Sequence, residues 1–207
     1  MVIRRLLLIG FLSVAFGSLA TPGHTAAEGS AAAFIRDLGA RAVSVLQSSG
    51  NSLEAREAQF RDILISDFDI PLISKIVLGR NWKTATPEQR SEYQRVFGEY
   101  ILRTYSSRLG GYAGETLQVV SERPAGKRHV VVGTLIERPA GPPIKAEWRV
   151  RTGGGRFRIV DVVVEGISMV ITQRSEFAAV IQRNGLDGLI HVLCVRIDKE
   201  PTVASAS

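Results

Sequence analysis

The 207-residue sequence is poor in the residues that build disulfides, metal sites and catalytic centres. Cys194 is the single cysteine, so no internal disulfide can form, and its apolar neighbours favour a buried, inert thiol. The chain has three histidines and lacks a G-x-S-x-G elbow, an H-E-x-x-H motif and a Gly-rich phosphate loop. We therefore expect no catalytic set, no metal and no cofactor.

A concentrated block of charge is also missing. The formal net charge of +6 is spread along the chain, without a basic face or aromatic stacking platforms, and this excludes nucleic acid as the expected partner. The mild positive charge suits an anionic lipid surface or an acidic partner. Asp161 and His129 form the one acid and base pair that a periplasmic hydrolase or isomerase could use, but structural roles for both residues are favoured.

The N-terminus has the layout of a secretory signal peptide. Arg4 and Arg5 precede an apolar stretch over residues 6–19, and small residues follow, with possible cleavage after Ala20 or Ala27. This stretch is shorter than the roughly 20 residues of a spanning helix, so a permanent membrane anchor is the less favoured alternative. We predict a signal peptide at 1–27, a single domain at 28–197 and a flexible tail at 198–207.

The first half of the mature chain shows helical periodicity. Apolar residues recur at helical spacing over residues 34–46 and 60–64. In FDIPLISKIVLGRNW, Asp69 can cap a short helix that Gly79 ends, and Thr86 and Gln89 have the spacing of a capping box. That box opens a long helix predicted to end at Gly110 and Gly111.

The second half changes to strand periodicity. Four strands are predicted in ETLQVVSE, RHVVVGTLIE, IKAEWRVR and RFRIVDVVVE, and the short Pro- and Gly-containing connections favour an antiparallel meander. A helix from about residue 167 to 184 and a last short helix follow. The expected fold is therefore α+β, with one face of the sheet wrapped by helices from both ends of the chain.

The fourth strand differs from the third. The third strand alternates strictly, whereas RIVDVVVE has apolar residues on both faces, so both faces must be covered. Under strict alternation Asp161 shares a face with Ile159 and Val163. Either this face, or the face of Val160, Val162 and Val164, then lines any interior space.

Four segments in this order resemble the MlaC family, the toluene-tolerance proteins of Gram-negative bacteria: FDIPLISKIVLGRNW, TPEQRSEYQRVFGEYILRTYSSRL, WRVR with GGRFRIVDVVVEGISM, and RSEFAAVIQRNGLDGLI. The resemblance covers about residues 34–193. It implies a sheet like that of the nuclear-transport-factor-like fold and a soluble periplasmic phospholipid carrier. The implied partners are an inner-membrane ABC transporter with an MCE-domain protein and an outer-membrane lipoprotein complex.

The resemblance leaves the cargo open, since a hopanoid or another lipid is an alternative to a phospholipid. A structural or assembly partner with a solid interior is the other alternative. Positions on the helices and strands that we expect to converge on an acyl cavity give the predicted lipid-binding residues: Trp82, Phe97, Ile101, Tyr105, Trp148, Val150 and Met169.

Overall fold

The computed structural model describes residues 29–48, 52–106 and 114–199. The predicted signal peptide and the predicted helix end at Gly110 and Gly111 lie outside these ranges, as does the predicted tail from residue 200 onward. The described helices are α1 (Ala31–Gln47), α2 (Leu53–Asp67), α3 (Ile70–Leu78), α4 (Asn81–Thr84), α5 (Pro87–Ser106) and α6 (Met169–Lys199).

The helix boundaries follow from local capping chemistry. The side chain of Asp69 accepts a hydrogen bond from the N–H of Leu72 at the start of α3, and Gly79 ends that helix with a φ of 59°. Thr86 and Gln89 form the reciprocal bonds of a capping box before α5, at 3.2 and 3.1 Å. Gly185, with a φ of 70°, kinks α6 at the point where two helices were predicted.

The sheet is an antiparallel meander, as predicted. Its strands are β1 (Thr116–Pro124), β2 (His129–Glu137), β3 (Ile144–Gly153), β4 (Arg156–Val164) and the two-residue β5 (Ile167–Ser168), in the spatial order β1-β2-β3-β4-β5. α1 packs against β1 and β2, while α2, α3 and α6 contact β4. On the opposite face of β3, Lys145, Glu147 and Arg149 are exposed, so the predicted one-sided α+β architecture is confirmed.

A β-bulge explains the doubly apolar fourth strand. Val150 pairs with Ile159 and Arg149 pairs with Asp161, so Val160 is an extra residue that shifts the register of β4. Beyond the bulge, Val162 lies opposite Trp148, on the helix-facing side of the sheet. The expectation that Ile159 and Asp161 share a face was therefore wrong, because strict alternation does not continue through a bulge. A similar irregularity occurs in β1 around Val120.

The buried side chains form two separate clusters. We call the first the sheet cluster; it joins α1 and Ile63 of α2 to Val132, Val150 and Ile159 of the sheet. We call the second the helix cluster; it joins α3, α5 and α6 around Phe97 and Phe177, whose rings meet edge to face with centroids 6.2 Å apart.

Candidate functional site

A cavity of about 530 Å³ lies between the sheet cluster and the helix cluster. Five helices and three strands contribute to its wall: α1, α2, α3, α5, α6, β1, β3 and β4. The lining residues are Leu38, Gly39, Ala42, Phe60, Ile63, Leu64, Phe68, Ile70, Ile73, Val77, Phe97, Ile101, Tyr105, Leu117, Trp148, Asp161, Val162, Val164, Met169, Val170 and Gln173. The wall is overwhelmingly apolar, as in sites for apolar ligands.

Five of the seven residues proposed from the sequence line this cavity, namely Phe97, Ile101, Tyr105, Trp148 and Met169. They come from α5, β3 and the start of α6, which the fold brings together around one space. Their contact with a lipid stays a prediction, because the structure shows the wall and not an occupant.

Trp82 and Val150 lie elsewhere. Trp82, in the one-turn helix α4, has Lys75 Nζ and Arg90 Cζ at 5.8 and 5.4 Å from its ring centroid, an arrangement of cation–π contacts. Val150 is fully buried in the sheet cluster with Ile35. It shares a face with Trp148, but that face is packed solid at Val150 and open at Trp148.

The sequence reasoning did not select the lining residues of α1, α2, α3 and β4. For α1 the signal was present, because Leu38 and Ala42 belong to the periodic stripe already recognised. For β4 both faces were left open, and the structure places Val162 and Val164, from the second alternative, at the cavity. Strand periodicity alone does not decide which of two apolar faces meets the helices.

The indole of Trp148 is held by a buried hydroxyl. Its Nε1–H donates to Thr134 Oγ1 at 3.0 Å, and Thr134 Oγ1–H donates to the carbonyl oxygen of Ala146 at 3.2 Å. Thr134 is 1% exposed. The pair satisfies the one polar atom of the indole within the sheet, which lets the ring serve as an apolar wall.

Among the described lining residues, Asp161 carries a carboxyl group and Gln173 carries a side-chain amide. The Asp161 carboxylate accepts from Ser168 Oγ at 2.7 Å and from the N–H of Val170 at 3.2 Å, while Ser168 Oγ itself accepts from the N–H of Ile171. Asp161 is thereby an anchor for the first turn of α6, where a negative charge is favourable. The structural role favoured for Asp161 is the one that these contacts describe.

Asp161 and His129 do not form an acid–base pair. They lie on β4 and β2, which β3 separates, and Asp161 is bonded to the start of α6 instead. Burial, followed by the charges of Arg149, Arg128 and Arg151, holds the pKa of His129 below its ordinary value of 6.5.

Residues 29–48, 52–106 and 114–199 contain no group of His, Cys, Asp and Glu side chains arranged to hold a metal ion. Within those same ranges, none of the helices combines the length and apolarity needed to cross a membrane.

The fold and the site together define a class: a small α+β domain in which helices and a meander sheet enclose a large apolar cavity. The model of the MlaC protein family matches residues 36–194. The chain belongs to the MlaC family.

Two curated relatives and one solved structure are similar to this chain. The intermembrane phospholipid transport system binding protein MlaC of Haemophilus influenzae is 26% identical over 134 residues, which are 63% of each chain. The toluene tolerance protein ttg2D of Pseudomonas putida is 27% identical over 116 residues, 56% of this chain and 54% of that protein. The matched regions thus span less than two thirds of either relative.

The solved structure is that of a phospholipid-binding protein from Ralstonia solanacearum in complex with a phospholipid. It superposes with a TM-score of 0.73 at 24% identity, covering 84% of this chain and 99% of the other. At this level of identity the likeness supports the fold.

Proposed function

We propose that this protein is a periplasmic carrier that shelters the acyl chains of a phospholipid in the cavity between the sheet and helix clusters. The observation that carries the proposal is the cavity itself: about 530 Å³ of space with an almost wholly apolar wall, inside a domain whose core is otherwise closely packed. Its volume is within the roughly 300–1,000 Å³ of small-molecule sites.

The energetics favour apolar cargo. Each methylene transferred from water to an apolar wall is stabilised by ~0.8 kcal/mol, so an acyl chain gains most when it is fully enclosed. Asp161 is the one charged residue among those of the wall, and its carboxylate already accepts two hydrogen bonds from the start of α6. The cavity therefore offers a tail extensive apolar contact without an unpaired charge.

The family relatives support the transport role. One carries the name of a binding protein of an intermembrane phospholipid transport system, and the solved structure holds a phospholipid. By this kinship we propose that the chain exchanges lipid with an inner-membrane ABC transporter bearing an MCE-domain protein and with an outer-membrane lipoprotein complex. A signal peptide at residues 1–27 would deliver the chain to the periplasm, and a role without catalysis is proposed.

The test is the identity of the bound lipid. Protein purified from the periplasm, examined by native mass spectrometry and by lipid extraction, should carry added mass matching a phospholipid. Consistently empty protein would contradict the proposal, and a hopanoid in the extract would replace the phospholipid by the alternative cargo.

A matched pair of variants tests whether the lipid occupies the cavity. Ala42 lines the cavity and Ala40 is exposed on the same helix, so Ala42→Trp and Ala40→Trp add the same ring inside and outside. We expect Ala42→Trp to lower lipid occupancy and Ala40→Trp to leave it unchanged, with both variants folded by circular dichroism. Equal occupancy in the two folded variants would remove the cavity as the site.

A further inference from the structure

Helix α2 is a one-layer wall between the cavity and solvent. Phe60, Ile63 and Leu64 point into the cavity, whereas Asp62 and Ile65 on the opposite side are exposed. Nothing in the described ranges covers that outer face. A displacement of α2 would therefore widen the access from solvent to the cavity.

The C-terminal end of α2 is fixed to the sheet by backbone hydrogen bonds. Beyond the helix, the N–H of Asp69 donates to the carbonyl oxygen of Ile159 on β4 at 2.9 Å. Arg158 Nη1 donates to the carbonyl oxygens of Ile65 and Phe68, at 3.1 and 3.2 Å. Asp67 in the last turn also pairs with Arg41 of α1. This end is tied by several bonds that involve the main chain.

The flank of α2 that faces α5 is held differently. Arg61 Nη1 lies 3.3 Å from Glu99 Oε2, Arg103 Nε lies 3.1 Å from Glu99 Oε1, and Arg103 Nη1 lies 4.0 Å from Glu57 Oε1. We call these four residues the charged latch. The α2–α5 contact is less extensive than the α1–α2 contact, and two ion pairs of the latch, Arg61–Glu99 and Arg103–Glu57, cross it.

The charged latch connects a helix of the sheet cluster, α2, to a helix of the helix cluster, α5. α2 contributes Ile63 to the sheet cluster, and α5 contributes Phe97 to the helix cluster. The side chains of Arg61 and Glu99 are 43% and 27% exposed, so water and salt can replace this contact at smaller cost than the Arg103–Glu57 contact, whose side chains are 22% and 13% exposed. An apolar seam of the same extent would lose its hydrophobic contact on opening.

From this asymmetry we propose that acyl chains enter and leave the cavity through the seam between α2 and α5, with the charged latch as its closure and the Phe68–Asp69 connection as its hinge. This inference rests on the proposed carriage of phospholipid. It adds the seam through which the acyl chains pass and the ion pairs that close this seam. Because the outer face of α2 is exposed and the chain directly after the helix is bonded to β4 through Asp69, the helix can pivot outward about its C-terminal end.

A reversible tether tests the route. In a Cys194→Ala background, the pair Arg61→Cys and Glu99→Cys places thiols on either side of the seam. The control pair Arg41→Cys and Asp67→Cys places them at the hinge end, between α1 and α2. Both are linked with the same short bis-methanethiosulfonate reagent, and uptake of NBD-labelled phosphatidylethanolamine from liposomes is followed by fluorescence.

We expect the seam tether to block uptake, reductant to restore it, and the hinge tether to leave the rate unchanged. Uptake by the seam-tethered protein at the untethered rate, or an equal block by both tethers, would overturn the proposed route while phospholipid carriage stands. Absence of uptake by the untethered protein would overturn both proposals. Circular dichroism of each tethered protein verifies that the fold is retained.

A second measurement leaves the seam free of thiols. Arg61→Ala removes one arm of the latch and should raise the uptake rate by about 1.5- to 5-fold, the ordinary worth of a partly exposed ion pair. Arg95→Ala removes the exposed Arg95–Glu92 pair of α5, with its 2.7 Å contact, and serves as the matched control with an unchanged rate. Added salt should accelerate the unmodified protein and narrow its difference from Arg61→Ala. Equal rates for all three proteins would count against the latch.

Discussion

The hydrogen bond between Thr134 and Trp148 predicts a measurable energetic coupling. Thr134→Val keeps the shape of the side chain but leaves the indole N–H without its acceptor, and it also removes the bond to the carbonyl oxygen of Ala146. An unsatisfied buried donor costs about 1–3 kcal/mol, and the new methyl group recovers ~0.8 kcal/mol. We therefore expect Thr134→Val to lower the free energy of unfolding by about 0.2–2 kcal/mol.

A double-mutant cycle isolates this term. Trp148→Phe removes the indole N–H, so Thr134→Val should cost about 1 kcal/mol less in that background than in the native sequence. Urea unfolding followed by far-UV circular dichroism measures the four variants. Thr134→Ser keeps the hydroxyl and should lose only about 0.8 kcal/mol for its methyl group.

The coupling is absent if the two substitutions are additive within about 0.3–0.5 kcal/mol, the ordinary limit for independent sites. A Thr134→Val variant as stable as the native protein would also contradict it. Either result would mean that the indole finds another partner, and that the hydroxyl does not fix the ring against the cavity.

Three other predictions concern single positions. Gly39→Ala should lower the thermal midpoint, because the added methyl group would meet Leu117 Cδ2 at 3.2 Å and Leu117 Cβ at 3.3 Å, and a Cβ atom cannot move away without its strand; an unchanged or higher midpoint would contradict this. Asp161→Ala should cost about 1–2 kcal/mol in urea unfolding, since it frees donors at the start of α6, and an unchanged midpoint would disprove the anchor. The pKa of His129, measured by NMR, should lie below 6.5, and Arg149→Gln should raise it. The neutral imidazole contributes stability above pH 6.5 that is lost as the pH falls through the lowered pKa; a pKa of His129 at or above 6.5 would contradict this.

Local signals in the sequence were sufficient for most of the architecture. The caps at Asp69 and Thr86, the breaks at Gly79 and Gly185 and the short turns between strands act within a few residues, so their chemistry can be recognised in the sequence. The short turns also determine the order of the strands. A short connection returns the chain directly beside the strand it has just left, so consecutive strands pair in antiparallel orientation.

The arrangement of the cavity depends on longer-range geometry. Periodicity placed Trp148 and Val150 on one face, but the position of α1 and α2 above that face decides which of them meets empty space. The bulge at Val160 is a property of the β3–β4 pairing, and the adjacent apolar residues Ile159 and Val160 did not by themselves distinguish a bulge from a strand covered on both faces. Trp82 was predicted to bind lipid because its side chain is apolar. In the structure it lies in the one-turn helix α4, with the cations of Lys75 and Arg90 against its ring.

The irregularity in β1 has a consequence for how copies of the chain behave side by side. β1 forms one border of the sheet, where unpaired amide and carbonyl groups invite a strand from another molecule. The extra residue at Val120 breaks the straight run of those groups, and Pro124 at the strand end lacks an amide hydrogen to offer. The border is thereby a poor template for intermolecular strand pairing, which favours a protein that stays dispersed at high concentration.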